Sequence, residues 1–185
     1  LTPAFPRLKG RGTSNNADSR YLQLRSEPVD DGWNHSAQPE DAEEDEFSVQ
    51  LKTQAFADRT KTLITRNRSP DISFSQSINP YKGCEHGCIY CFARPTHAYL
   101  DLSPGLDFET KLFYKTNVRA HLLNELGKPS YRCTTLAMGT NTDPYQPLEK
   151  TQRNTRHILE TLLELRHPVS IVTKSSLILR DLDLL

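Results

Sequence analysis

Three cysteines, Cys84, Cys88 and Cys91, fall within eight residues in the stretch Asn79-Pro80-Tyr81-Lys82-Gly83-Cys84-Glu85-His86-Gly87-Cys88-Ile89-Tyr90-Cys91-Phe92. Their spacing, C-x3-C-x2-C, suits metal ligation better than cross-linking. An iron–sulfur cube offers four irons at its corners, and thiolates are the usual protein ligands, so one short loop can wrap three corners. Gly83 and Gly87 supply backbone freedom where such a loop must turn around a bulky group. With only three thiolates, one iron of a [4Fe–4S] cluster keeps a vacant position for an exogenous ligand. A metal site with an open position is reactive, whereas a fully ligated one is structural or passes electrons.

Two other readings of the same residues stand beside this one. Structural zinc usually takes four ligands, often as two separated C-x2-C pairs; here there is one such pair, and His86 sits awkwardly between two ligands. The remaining cysteine, Cys133, lies far downstream and could complete a ferredoxin-like, fully ligated electron carrier. Its position at the entrance of an expected buried strand instead suggests a small hydrophobe.

The elements that must hold this loop can be read from periodicity. Thr62-Leu63-Ile64-Thr65 is β-prone, and residues 71–81 read as a strand ending near Asn79 that leads straight into the cysteines. Asn117 is expected to cap a helix through Leu126, with Val118, Leu122, Leu123 and Leu126 on one side and Gly127 and Pro129 as stop signals. Residues 134–139 read as a buried strand, followed by the polar loop Thr140-Asn141-Thr142-Asp143-Pro144. From Pro147 and Glu149 a long helix carries Ile158, Leu159, Leu162, Leu163 and Leu165 on its apolar face, stopping at His167-Pro168. Residues 169–173 read as another buried strand, and a further helix starts near Leu177. This strand–helix alternation predicts an α/β fold with a parallel sheet. Ligand chemistry then belongs at the carboxyl ends of the strands, where the cysteine loop, residues 140–143 and Lys174-Ser175 would meet.

The 185 residues suffice for one ordinary domain, and Lys plus Arg balance Asp plus Glu at 23 each. A nucleic-acid partner therefore gains no support from net charge. Four cysteines are too few for a disulfide-stapled secreted scaffold. No run has the length of a membrane span and no signal-peptide pattern opens the chain, so a reducing cytoplasm is the expected compartment. Residues 1–46 mix Gly, Ser, Asn, Pro and charge, and end in the acidic run Glu40-Asp41-Ala42-Glu43-Glu44-Asp45-Glu46. They read as a disordered arm, with local docking of Trp33 as the alternative and order beginning near Phe47. Leu1 stands where a start methionine would, so residues are expected to precede it.

The cysteine loop, with Tyr90 before its last cysteine, resembles the signature of the radical S-adenosylmethionine superfamily. Asn79-Pro80-Tyr81-Lys82-Gly83-Cys84, Tyr90-Cys91-Phe92-Ala93-Arg94, Gly139-Thr140-Asn141-Thr142-Asp143-Pro144-Tyr145-Gln146-Pro147 and Thr173-Lys174-Ser175 resemble the branch related to spore photoproduct lyase, many of whose members bear the label DNA repair photolyase. The likeness runs from about Thr60 to Leu185. It implies a partial (β/α) TIM-like barrel of which residues 47–185 would supply the first three units, truncated at the C-terminus. It also implies S-adenosylmethionine bound at the open iron and cleaved reductively to a 5′-deoxyadenosyl radical, with a flavodoxin-like or ferredoxin-like electron donor. Within that picture Lys174 would pair with the cofactor carboxylate or else extend into solvent, and Thr142 and Asp143 would meet its amino group or ribose or else form only the Asp-Pro turn that starts the next helix. Tyr90 would flank the adenine or shield the cluster from water, and Ser175 would lie beside them. The branch builds six units and places its hydrogen-donor cysteine towards the C-terminus, beyond Leu185. The chain by itself is thus expected to fall short of a complete active site, and its last strand to present an unpaired edge.

Overall fold

The structure, a computed structural model, describes residue 8 and residues 10–16 and 51–185. Trp33, the acidic run and the expected onset of order near Phe47 lie outside the described residues. The architecture is mixed α/β with two mixed sheets. In chain order the strands are β1 (Gln54–Asp58), β2 (Ile64–Arg66), β3 (Gln76–Ile78), β4 (Tyr81–Lys82), β5 (Lys111–Lys115), β6 (Leu136–Met138) and β7 (Val169–Ile171). The α-helices are α1 (Leu106–Thr110), α2 (Val118–Leu126), α3 (Glu149–Gln152) and α4 (Asn154–Glu164), with 3₁₀ segments at Arg94–Leu100 and Ser176–Leu184.

The larger sheet runs β2-β3-β6-β7, with β3, β6 and β7 parallel and β2 antiparallel at one side. The parallel pairs are joined through α2 and through α3 and α4, as strand–helix alternation requires. Leu136, Ala137 and Met138 of the inner strand β6 are all buried. Ile78, Leu136 and Met138 pack with Val118 and Leu122 of α2 and with Ile158, Leu159 and Leu162 of α4 in one apolar core. Leu163 and Leu165, expected on the same face of α4, are instead exposed, as is Leu123 of α2. The apolar stripe is narrower than the leucine content suggests.

Three further expectations are corrected. Asn117 does stand before α2, but it has φ 49° and makes no side-chain cap hydrogen bond. The long helix expected from Glu149 is broken at Arg153, which has φ 54°. The reversal lets the Glu149 carboxylate accept the amides of Thr155 at 2.9 Å and Arg156 at 3.3 Å, two of the unpaired donors that open α4. Residues 169–173 form no buried strand: β7 is three residues long, half-exposed and outermost among the described residues, and Val172 beyond it is exposed.

The smaller sheet, β1-β5-β4, was not foreseen. It pairs β1 with β5 in parallel and β5 with the two-residue β4 antiparallel, so the chain leaves β3, crosses to the second sheet at Tyr81 and only then enters the cysteine loop. Asp58 of β1 fastens this sheet: its carboxylate pairs with Lys115 at 2.8 Å and Lys82 at 3.0 Å. Burial alone would raise the Asp58 pKa, but hydrogen bonds from Lys115, Thr60 and Lys82 outweigh it and hold the carboxyl well below the usual range. A depressed folded pKa contributes stability that is fully present above the unfolded value of about 4 and is lost as pH falls through the folded one. Denaturant titrations taken from neutral pH into acid should therefore show a steeper loss of stability below about pH 4 in the wild-type chain than in Asp58→Asn. Parallel acid profiles for the two proteins would remove this role.

Of the arm expected to be disordered, residues 10–16 are described and lie against the domain. Asn15 O accepts the Leu106 amide at 3.2 Å, and Asn16 Oδ1 accepts the Asp107 amide at 2.9 Å, so the arm satisfies donors at the start of α1.

Candidate functional site

The cysteine loop hangs between the two sheets. Its entry is fixed by Tyr81, whose buried hydroxyl donates to Glu149 and whose carbonyl accepts the Thr142 hydroxyl at 3.2 Å. Gly83 follows with φ 76°, and a Cβ there would press on Leu112, the Phe108 carbonyl and His97, so only glycine passes. The Cys84 amide then donates to Phe108 O at 2.9 Å, the Glu85 amide to Gln146 Oε1 at 3.1 Å, and Gln146 Nε2 returns a hydrogen bond to Gly83 O at 3.1 Å. Burial pushes the Cys84 thiol up to about 11.

Cys84, Cys88 and Cys91 line one cavity of about 270 Å³ that opens to solvent. The loops leaving β6 and β7 form its other wall, with Asn141, Thr142 and Asp143 from the first and Thr173 and Lys174 from the second. Strand carboxyl ends thus supply the wall, as expected for ligand sites in parallel sheets. Lys174 Nζ donates to Cys88 Sγ at 2.9 Å and to His86 O at 3.4 Å, and the hydrogen bond to the Cys88 sulfur raises the Lys174 pKa above its ordinary value. Asp143 is a tie rather than a free acceptor: it takes the Thr173 hydroxyl at 2.7 Å, the Lys174 amide at 3.0 Å and the Tyr145 amide at 2.8 Å. These bonds lock the β7 exit against the β6 exit.

The residues singled out from sequence divide as follows. Tyr90, Thr142, Asp143 and Lys174 line the cavity with the three cysteines. Tyr90 is 81% exposed and stands over the opening, whereas Thr142 is buried at its base. Ser175 is not among the lining residues; its hydroxyl accepts the Leu177 amide at 3.3 Å and caps the following 3₁₀ segment. Cys133 is exposed, contrary to the small-hydrophobe reading. It precedes β6, and the neighbouring Arg132 O and Thr134 hydroxyl bond Gln76 at the start of β3, which is the sheet end opposite the cavity. His86, given no role from sequence, also lines the cavity, its Nε2 lying 3.4 Å from Asp143 Oδ2. Burial lowers its pKa. Nothing in the local pattern marks His86, because the interaction depends on a loop some sixty residues downstream.

Among the described residues, no three His, Cys, Asp or Glu side chains gather closely enough to hold a single metal ion. An iron–sulfur cube asks something different, since it takes each thiolate at a separate corner of one space. Three cysteines around a common cavity, with a lysine on one sulfur, fit that donor requirement. Among the described residues no helix is long and apolar enough to cross a membrane.

No family model matches the chain, and no solved structure does. Uncharacterized proteins of Mycobacterium tuberculosis and Mycobacterium bovis are each 50% identical over 114 residues, covering 62% of this chain and 34% of theirs. An uncharacterized protein of Methanocaldococcus jannaschii is 35% identical over 126 residues, covering 68% of this chain and 44% of its own. The chain therefore spans between a third and a half of the length of the curated relatives it matches.

Proposed function

We propose that the chain is the cluster-binding part of a radical S-adenosylmethionine enzyme, with Cys84, Cys88 and Cys91 as the three ligands of a [4Fe–4S] cluster. One observation carries the reading: the three cysteines line a single cavity whose far wall comes from the exits of two parallel strands, while Cys133 lies at the other end of the sheet. Three thiolates without a fourth leave an open corner. When bound, such a cluster supplies the electron that cleaves S-adenosylmethionine into methionine and a 5′-deoxyadenosyl radical.

This chain's own residues orient and shelter. Lys174 puts a positive charge beside the Cys88 sulfur, which offsets the charge of ligated thiolates and leaves the ammonium within the cavity for a carboxylate. Asp143 and Thr173 keep that lysine in place through its backbone. Tyr90 at the mouth offers a flat apolar face to a purine, and Thr142 supports the base of the pocket. The parallel order β3-β6-β7 with intervening helices is compatible with the opening units of a partial (β/α) barrel, and a cluster of this kind belongs in a reducing compartment such as the cytoplasm. By the family resemblance alone, the substrate would be a DNA lesion and the electron donor a flavodoxin-like or ferredoxin-like protein.

Anaerobic reconstitution with metal analysis tests the reading. Iron with sulfide, rather than zinc, is expected, together with a change in the electron paramagnetic resonance of the reduced cluster on adding S-adenosylmethionine. Lys174→Met should retain the iron but weaken that spectral response about ten-fold in S-adenosylmethionine concentration, the cost of one charge-assisted contact. Colourless, iron-free protein, or a spectrum indifferent to S-adenosylmethionine, would sink the proposal.

A further inference from the structure

The cysteine loop has little apolar packing of its own: Ile89, Tyr90 and Phe92 are each about four-fifths exposed, at 79%, 81% and 81%. A segment with few buried apolar contacts opens easily unless polar ties hold it. Beside the bonds from Phe108, Gln146 and Lys174, a second set of such ties comes from the N-terminal arm. Gly12 donates its amide to the Glu109 carboxylate at 3.0 and 3.2 Å, and Glu109 is fully buried. The same carboxylate pairs with Arg94, whose guanidinium donates to Cys88 O at 3.0 and 3.3 Å. On the other side, Arg11 donates to Glu109 O at 2.8 Å, to Leu51 O at 2.9 Å and to Thr53 Oγ1 at 2.8 Å; the Thr53 hydroxyl in turn donates to Glu85, next to Cys84. The arm also meets the loop backbone to backbone. Gly87 has φ 62°, a Cβ on it would sit 3.0 Å from the Gly12 amide, and a Cβ on Gly12 would run into the Gly87 carbonyl and the Arg94 guanidinium.

We propose that Gly10-Arg11-Gly12 is a brace that clamps the outer face of the cysteine loop, with Arg11, Gly12, Glu109 and Arg94 as positioning residues for Cys84 and Cys88. The brace reaches both ligands by separate routes, through Thr53 and Glu85 to Cys84 and through Glu109 and Arg94 to Cys88 O. Its effect on metal retention rests on the cluster reading given above; the clamp itself does not. Loss of partners that orient a metal ligand costs about 10–100-fold in metal affinity, and the brace is expected to act on iron retention in that range.

The test uses the full chain, with Gly12→Ala as the wedge and Thr13→Ala as a control on the same arm. Among the described residues the Thr13 hydroxyl bonds Asn15 O and none of the clamp residues, so its loss leaves the clamp intact. After reconstitution, iron loss to a ferrous chelator should be at least about ten-fold faster in Gly12→Ala than in wild type and unchanged in Thr13→Ala. If the wild-type chain takes up no iron, the cluster reading fails and hydrogen exchange on the metal-free chain decides the clamp. Faster exchange of the Cys84, Glu85 and Cys91 amides in Gly12→Ala, with the Leu136 and Met138 amides unchanged, then supports it. Should Gly12→Ala fail to fold, Arg94→Gln replaces it, cutting the tie to Cys88 O without a backbone clash. Wild-type iron loss in the folded wedge variant, or, without iron, wild-type exchange at the loop, overturns the brace.

Discussion

Alanine at Cys84, Cys88 or Cys91 is expected to leave the chain unable to hold iron, and each substitution alone should suffice. A cube bound through three corners has no spare protein ligand, so losing one thiolate exposes two irons to exchange and dissolution. Cys133→Ala is the internal comparison. Cys133 is exposed at the end of the sheet away from the cavity, and its variant should load the full complement of iron. Iron and sulfide analysis after anaerobic reconstitution reads both outcomes. Wild-type iron content in any of the three loop variants, or loss of iron in Cys133→Ala, would overturn the ligand assignment. Because Cys88 and Cys91 are only partly buried, their replacement should disturb folding little, so loss of iron there reports on ligation.

The largest expected effect on stability lies beneath the site, at Glu149. Its side chain is fully buried and gathers the Tyr81 hydroxyl, Arg180 at 2.7 Å and the amides of Thr155 and Arg156. Glu149→Ala strands a phenol and two helix-opening amides at once and leaves Arg180 to Asp181, which it meets at 2.7 and 2.8 Å. A buried donor left without its acceptor costs about 1–3 kcal/mol. The carboxylate also sits at the positive end of α4, where an anion is favoured. Denaturant titration should therefore place Glu149→Ala at least about 3 kcal/mol below wild type. Glu149→Gln, which keeps the shape and two polar atoms, should lie between them. A loss under about 1 kcal/mol for the alanine variant would mean that water reaches the stranded donors and satisfies them.

Neither Glu149 nor the second sheet could be read from the sequence, and the reason is the same. Periodicity reports which face of a helix or strand is apolar, and on that basis Ile78, Leu136, Met138, Ile158, Leu159 and Leu162 announce the main sheet and its helices. The strand β5, Lys-Leu-Phe-Tyr-Lys, alternates too weakly to stand out, and β4 is two residues long and exists only because β5 lies beside it. Glu149 looks like an ordinary first-turn acid until the chain reverses at Arg153 and brings the carboxylate back under α4. That the three loop cysteines share one cavity was legible because thiols so close in sequence sit on one short loop. Lys174 and Asp143 were legible as strand-end residues, but the bond from Lys174 to the Cys88 sulfur was not. The contribution of the arm was the least visible of all, since two glycines and an arginine among polar residues carry the composition of a tail.

The position of Tyr81 separates what fastens the cysteine loop from the thiols that the loop carries. Its hydroxyl is anchored in the charged lattice under α4, its carbonyl is pinned by Thr142, and its strand is zipped to β5, so the mouth of the cysteine loop is fastened by groups that contain no sulfur. The larger apolar core is made of leucine, isoleucine, valine, methionine and tyrosine and includes no cysteine, while Cys84 packs with Ala93 and Phe108 in a smaller cluster of its own. Zinc-finger peptides collapse only around their ion; here the main core and the fastening at Tyr81 ask nothing of the thiols, so replacing a loop cysteine should unsettle the loop while the larger sheet stays folded.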